Sequence, residues 1–124
     1  MEHSKEFLSL VGDAKGRVSE VSVAEALERI ENGATLIDVR EDNEWDDEHA
    51  TPAKHMSRGI IERDVVKEFP DKHSEMILYC GGGFRSALAA DLLQNMGYTN
   101  VWSMAGGWTA WKEADAPTET PIPS

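Results

Sequence analysis

The sequence predicts an α/β fold in which a central parallel sheet carries helices on both faces. Short apolar segments near residues 18, 36, 76 and 100 have the composition of strands, and segments with helical periodicity separate them. Strands that alternate with helices form parallel sheets, because each crossover returns the chain to the same end of the sheet. Ligands bind beyond the carboxyl ends of such strands, so a reactive residue at one of these ends marks a candidate site.

Length and composition limit the possible functions. The chain has 124 residues, 40% of them hydrophobic, which suffices for one domain with a buried core. A formal charge of −11 at pH 7 argues against nucleic acid and anionic membranes as partners. The single cysteine excludes an internal disulfide and a two-cysteine redox couple. Because no apolar signal core or membrane-spanning segment is visible, we expect a cytoplasmic location, where a free thiol survives best.

The first segment predicts a short amphipathic helix over residues 3–15. Phe7 and Val11 stand four positions apart, and Gly16 is suited to end the helix. Apolar and polar residues alternate over 18–21, which predicts an edge strand. We therefore expect a helical extension over residues 1–17 ahead of the main domain.

The best-specified helix follows. Ser22 and Glu25 form a capping box, in which each side chain accepts a hydrogen bond from the other residue's backbone, and Gly33 is expected to end the helix. Residues 35–39 then predict a buried strand. Asp38 within this strand needs a partner, and we favour a structural hydrogen bond to nearby backbone over a role in the site.

Residues 41–48 combine six acidic side chains with Trp45. We interpret them as a solvated acidic loop anchored by the tryptophan, because charge runs are usually hydrated surface. A calcium-binding loop is disfavoured, because this segment lacks the glycine that the EF-hand turn requires. Docking of a basic partner on the acidic surface is a secondary alternative. His49 and His55 follow in an irregular connection, where we expect structural hydrogen bonds and no metal site.

The next segments complete the alternation of helices and strands. Residues 57–69 have helical character, and Arg58 ahead of their apolar positions is either a surface residue, which we favour, or a second cation over the site. A helix is predicted over 87–96 and a strand over 100–104. A final short helix places Trp108 and Trp111 on one packed face. The domain is expected to span residues 18–112, and the proline-rich residues 113–124 are expected to form a flexible tail.

The most informative stretch runs from Met76 to Ser86. An apolar strand leads into Cys80, three glycines follow, and Arg85 precedes the last long helix. Glycines allow successive N–H groups to turn inward, and the helix N-terminus and Arg85 add positive charge, so the loop favours the reactive thiolate. A lone cysteine is often only a small buried apolar residue. The glycine run argues for a chemical role instead, because a structural turn rarely needs three glycines.

Several motifs in order resemble a single-domain rhodanese, a sulfurtransferase. They are LIDVREDNEW over 36–45, His49, YCGGGFRS over 79–86, GYTNV over 97–101 and AGGWTAW over 105–111. The resemblance extends from Val18 to Trp111. It implies a compact rhodanese-like domain, no cofactor, and a reaction in which sulfane sulfur passes from thiosulfate or a persulfide donor to cyanide, a thiol or a sulfur-relay protein.

The resemblance also implies roles for individual residues. Cys80 would be the nucleophile that carries the sulfur as a persulfide. The backbone of Gly81, Gly82, Gly83, Phe84 and Arg85 would surround the persulfide, whose anionic terminal sulfur needs N–H donors and no general base. Asp38 and Arg58 are further possible site residues.

The length of the loop separates three hypotheses. Four residues lie between Cys80 and Arg85, the tight loop of sulfurtransferases, whereas related phosphatases and arsenate reductases of this fold carry one more residue. A sulfurtransferase is therefore favoured over a phosphatase. A non-catalytic domain that carries sulfur or docks a protein is the alternative, although the cysteine and glycine loop favour the enzyme.

Overall fold

The computed structural model describes residues 3–121, which contain six helices and seven strands. None of these helices is both long and apolar enough to cross a membrane. The helices are α1 (Lys5–Lys15), α2 (Val23–Glu31), α3 (Asp42–Asp47), α4 (Ile61–Glu68), α5 (Phe84–Asn95) and α6 (Gly107–Glu113). The strands are β1 (Ser19–Val21), β2 (Thr35–Asp38), β3 (His49–Ala50), β4 (Ala53–His55), β5 (Met76–Tyr79), β6 (Val101–Met104) and β7 (Thr118–Glu119).

A five-stranded sheet with order β1-β6-β5-β2-β4 forms the centre of the fold, and all its pairings are parallel. The predicted α/β class is thus confirmed, as is the edge position of β1. Strand β5 is the middle strand, so its carboxyl end, where Cys80 follows, lies between the ends of β2 and β6. The topology places the cysteine where ligands bind in parallel sheets.

Each face of the sheet has its own apolar core, because side chains alternate along a strand. Met76 and Leu78 of β5, and Cys80 directly after it, point into the core formed with α4 and α5. Ile77 and Tyr79 point into the core formed with α2 and α6. Helices therefore cover both faces, as predicted.

Local signals in the sequence set the ends of the helices. In α2, the Ser22 side chain accepts from the Glu25 amide at 3.1 Å and Glu25 accepts from the Ser22 amide at 3.0 Å, which confirms the capping box. Helix α5 begins at Phe84, three residues before the predicted start, because Gly83 in the left-handed region allows the chain to enter the helix directly from the loop.

The structure corrects the expectation for residues 41–55. The acidic segment is not a loop, because Asp42–Asp47 form α3. The connection after it is not irregular either, since β3 pairs with β7 and β4 joins the central sheet beside β2. Three-residue strands are too short to produce a recognisable apolar alternation, so pairing with β2 decides the conformation.

The two histidines of this segment have structural partners, as predicted. The rings of Trp45 and His49 are stacked with centroids 3.4 Å apart, and His55 stacks on the same indole at 4.8 Å. His49 also hydrogen-bonds the Trp45 carbonyl at 2.9 Å, and His55 hydrogen-bonds the Arg40 carbonyl at 2.9 Å. Trp45 thus anchors α3, although on a helix rather than a loop.

The chain after residue 113 differs from the predicted flexible tail as far as the structure describes it. Ala116 is buried, the indole N–H of Trp111 donates to the Pro117 carbonyl at 2.8 Å, and Thr118–Glu119 form β7. Trp108 and Trp111 pack against the same core, as predicted, with Trp111 fully buried and Trp108 partly buried. Residues 122–124, and residues 1–2 of the predicted extension, lie outside the described residues.

Candidate active site

The cysteine loop connects the middle strand of the sheet to a long helix. Cys80 directly follows β5, and Gly83, with φ +99°, precedes α5. The Gly83 amide donates a hydrogen bond to Sγ of Cys80 at 3.1 Å. The sulfur therefore faces the N-terminus of a 12-residue helix, where backbone dipoles favour negative charge.

Helix α6 orients the rest of the loop. The Trp108 amide donates to the Cys80 carbonyl at 2.7 Å, and the Thr109 amide donates to the Gly81 carbonyl at 3.2 Å. A Cβ at Gly107 would lie 2.3 Å from the Cys80 carbonyl oxygen, so only glycine allows α6 to approach this closely. The carbonyls of Cys80 and Gly81 thus point toward α6. Because N–H and C=O of a trans peptide point in opposite directions, the amides of Gly81 and Gly82 face away from α6.

Cys80 lies deep in the fold and borders a cavity. Cys80 is 1% exposed, yet it lines a cavity of about 590 Å³. Behind the sulfur, Oγ of the buried Ser86 lies 3.6 Å from Sγ and 2.8 Å from Oγ of the buried Ser103. Cys80 therefore borders a cavity on one side, and a pair of hydroxyls lies beside its sulfur on another.

Three parts of the chain line this cavity. The cysteine loop and the start of α5 form its floor, the start of α3 forms one side, and the N-terminal segment forms another. The lining residues are Cys80, Gly81, Gly82, Phe84 and Arg85 from the first part, Glu41, Asn43 and Glu44 from the second, and His3 and Phe7 from the third.

Arg85 forms an ion pair across the cavity wall with Glu44. The two guanidinium nitrogens lie 2.8 and 3.2 Å from the two carboxylate oxygens. The Glu41 amide also donates to Glu44 at 3.0 Å, which orients the carboxylate. The hydrogen bond to Arg85 holds the pKa of Glu44 below its ordinary value, and the same bond raises the pKa of Arg85.

A second ion pair lies at the end of the neighbouring strand β2. The Arg40 guanidinium donates to the Asp38 carboxylate at 2.9 to 3.1 Å, and the Arg40 amide donates to the same carboxylate at 2.9 Å. The Tyr79 hydroxyl donates to Asp38 and accepts from the Ala50 amide. Arg40 also binds the Glu48 carbonyl at 2.7 Å. Burial, followed by the charge of Asp38, raises the pKa of Tyr79.

The structure brings most of the predicted site residues together. Cys80, Gly81, Gly82, Phe84 and Arg85 line one cavity, and Gly83 donates to the sulfur. Asp38 and Arg58 do not line the cavity. The predicted backbone hydrogen bond of Asp38 is confirmed, and the partly buried Arg58 donates its amide to the Val39 carbonyl at 3.1 Å.

Other residues of the cavity, and the hydroxyl pair beside the sulfur, were not predicted from the sequence. Glu44 stands among other acidic residues and has no local feature that marks it as the partner of Arg85. The helical periodicity of residues 3–15 predicts that Phe7 is buried, but it does not predict that Phe7 lines a cavity. Ser86 and Ser103 meet only in the folded chain, 17 positions apart.

With this geometry established, comparisons with known proteins are decisive about the family. The family profile described as Rhodanese-like domain matches residues 22–114. Thiosulfate sulfurtransferase GlpE from Haemophilus influenzae is 32% identical over 101 residues, which cover 82% of this chain and 94% of the relative. The chain belongs to the rhodanese family, as its motifs indicate.

Solved structures agree with this assignment. The polysulfide-sulfur transferase homodimer of Wolinella succinogenes superposes with a TM-score of 0.80 at 28% identity and covers 94% of this chain and 88% of its own. A protein of unknown function from Rhodopseudomonas palustris, described as a possible tyrosine phosphatase, gives 0.79 at 25% identity and covers 96% and 98%. Relatives with sulfurtransferase names support sulfurtransferase activity in general.

Proposed function

We propose that this protein is a sulfurtransferase that carries sulfane sulfur on Cys80 as a persulfide. The observation that carries the proposal is the hydrogen bond from the Gly83 amide to Sγ at the floor of a cavity that the glycine loop lines. A thiolate and a terminal persulfide sulfur are both anionic, so the Gly83 amide and the helix dipole favour both. Thiosulfate, a persulfide, cyanide or a thiol are the proposed small reactants, and a sulfur-relay protein is a further proposed partner.

The reaction consists of two displacements at sulfur. The Cys80 thiolate attacks the outer sulfur of thiosulfate, the sulfur–sulfur bond of the donor breaks, and sulfite leaves with the bonding electron pair. Cyanide then attacks the terminal persulfide sulfur, and thiocyanate leaves as the thiolate is restored. Charge is conserved in both steps and neither needs a proton, so a general base is not required.

Mass spectrometry of the intact protein tests the proposal. We expect the protein to gain one sulfur atom on incubation with thiosulfate and to release it as thiocyanate when cyanide is added. Cys80→Ser is the control and should gain nothing. Failure of the unmodified protein to form the adduct with thiosulfate and with any persulfide donor would contradict the proposal.

The alternative functions give different results in the same experiment. A non-catalytic sulfur carrier would form the adduct without sustained thiocyanate production, whereas a domain that only docks a protein would form no adduct. A phosphatase would hydrolyse an aryl phosphate without a sulfur adduct. The Arg85–Glu44 ion pair argues against the phosphatase, because the guanidinium that would bind a phosphate is already bound to a carboxylate. The cytoplasmic location stays a prediction.

A further inference from the structure

The outer wall of the cavity is aromatic and comes partly from outside the region that the family profile matches. Phe7 on α1 and His3 before it precede residue 22, where the match begins. The His3 ring lies 5.0 Å from both the Phe7 ring and the Phe84 ring, and the two phenylalanine rings lie 6.3 Å apart at 70°. These distances are typical of aromatic contacts. We call His3, Phe7 and Phe84 the aromatic wall.

Helix α1 is attached firmly enough to hold this wall in place. Val11 and Ala14 are buried where the helix packs against α5. At its carboxyl end, Arg17 forms a two-point ion pair with Asp91 at 2.8 and 2.9 Å. The Gln94 side chain also donates to the Arg17 carbonyl at 3.0 Å. The aromatic wall is therefore part of the folded domain.

The charges around the cavity do not favour a small dianion. Among the described residues that line it, two carboxylates, Glu41 and Glu44, face one guanidinium, Arg85. Glu44 already binds that guanidinium through both of its oxygens. Lys15 lies 5.3 Å over the Phe84 ring but does not line the cavity. A thiosulfate dianion would gain little from this local field, and the whole molecule carries a formal charge of −11.

We propose that the preferred sulfur donor is an organic persulfide whose organic group is aromatic, and that this group packs on Phe7 and Phe84. This inference rests on the proposed sulfurtransferase function and specifies its substrate class. The Cys80 thiolate attacks the outer sulfur of R–S–SH, the sulfur–sulfur bond of the donor breaks, and its electron pair leaves with R–S⁻. The proton stays on the transferred sulfur, so atoms and charge balance.

Two stable monoanions test the role of the aromatic wall. Benzenethiosulfonate and methanethiosulfonate both donate their outer sulfur and release a sulfinate with the bonding electron pair, but only the first carries a ring. The rate of sulfur uptake at Cys80 is measured by intact mass with each donor, and the ratio of the two rates is compared between variants. Comparing ratios removes the intrinsic difference in donor reactivity.

We expect Phe7→Ala to lower the benzene-to-methane ratio about three- to tenfold, the value of one aromatic contact. Phe84→Leu, on a different element, should lower the same ratio and so guards against a purely structural effect on α1. Leu10→Ala is the matched control, because Leu10 is on α1, is 59% exposed and does not line the cavity. Its ratio should equal that of the unmodified protein.

The outcomes separate this inference from the proposed function. If Cys80 accepts sulfur from all donors but Phe7→Ala and Phe84→Leu leave the ratio unchanged, the aromatic wall does not select the donor and the inference is wrong. If thiosulfate proves a better donor than benzenethiosulfonate in the unmodified protein, the inference is also wrong, while the proposed function stands. If no donor transfers sulfur to Cys80, both are wrong.

Discussion

Two arginine–carboxylate pairs at the carboxyl ends of adjacent strands have the same chemistry and different surroundings. At the end of β2, the Asp38 and Arg40 side chains are 0% and 4% exposed. Beyond the end of β5, the Glu44 and Arg85 side chains are 32% and 29% exposed and line the cavity. The first pair lies in a closed network, whereas the second is open to solvent and reactants.

This difference in burial indicates different roles. A buried charge left without its partner is costly, because water cannot replace the lost interaction, so the Asp38–Arg40 pair should matter mainly for stability. Water screens the Glu44–Arg85 pair, so it should contribute little to stability. Under the proposed function, the Glu44–Arg85 pair instead sets the charge that the cavity presents to a sulfur donor.

The largest expected effect is on stability at Asp38. Asp38→Ala leaves the Arg40 guanidinium buried without its carboxylate, and we expect the free energy of unfolding to fall by about 3–5 kcal/mol. Urea denaturation measures the change. Asp64→Ala, which removes the exposed pair with Arg63, is the control and should cost at most about 1 kcal/mol. Similar losses in the two variants would contradict the contrast.

The next effect is expected at Tyr79, whose hydroxyl connects Asp38 to the Ala50 amide. Tyr79→Phe leaves the buried amide without an acceptor, so we expect a loss of about 1–3 kcal/mol in the free energy of unfolding. Urea denaturation near neutral pH measures the loss, and a loss near zero would show that the network does not need the Tyr79 hydroxyl.

The Tyr79 hydroxyl should also make the free energy of unfolding depend on pH. Its pKa is raised above the ordinary value of 10.0 by burial and by Asp38, so the folded protein keeps a proton that the unfolded chain releases. The contribution of this proton to the free energy of unfolding is fully present below pH 10. It is lost as the pH rises above 10, at up to about 1.4 kcal/mol per pH unit. Tyr79→Phe should lack this component of the alkaline decline. Parallel alkaline curves for the two proteins would contradict the prediction.

The smallest effect on stability is expected at Glu44. Glu44→Gln should change the free energy of unfolding by at most about 1 kcal/mol. Because the pKa of Glu44 is lowered from 4.5 by Arg85, this small difference should be present above pH 4.5 and vanish as the pH falls through the lowered value. Urea denaturation between neutral and acidic pH measures it.

The same variant should have a clear effect on reactivity. With its carboxylate removed, Arg85 is free to attract an anion, and we expect sulfur uptake from thiosulfate to rise about fivefold. Arg85→Ala should slow the same step. Intact-mass time courses with thiosulfate compare the three proteins, and equal rates would show that the ion pair serves only to close the loop.

Sequence reasoning was most successful where structure depends on neighbours in the chain. The capping box of Ser22 and Glu25, the buried strand before Cys80 and the glycine loop were all readable, because each involves residues a few positions apart. It was wrong about the acidic segment, where six charged residues concealed α3. It also missed β4 and β7, whose few residues acquire their conformation from the strands beside them.

The sequence by itself determined the α/β alternation, the family and the position of the single thiol at the end of a buried strand. Only the tertiary structure decided what surrounds that thiol. Glu44 meets Arg85 across 41 positions of the chain, and Phe7 meets Phe84 from a helix outside the matched region. Local propensity and periodicity act over one or two turns of chain, whereas the charge and shape of the cavity depend on contacts that exist only once α1, α3 and α5 pack together.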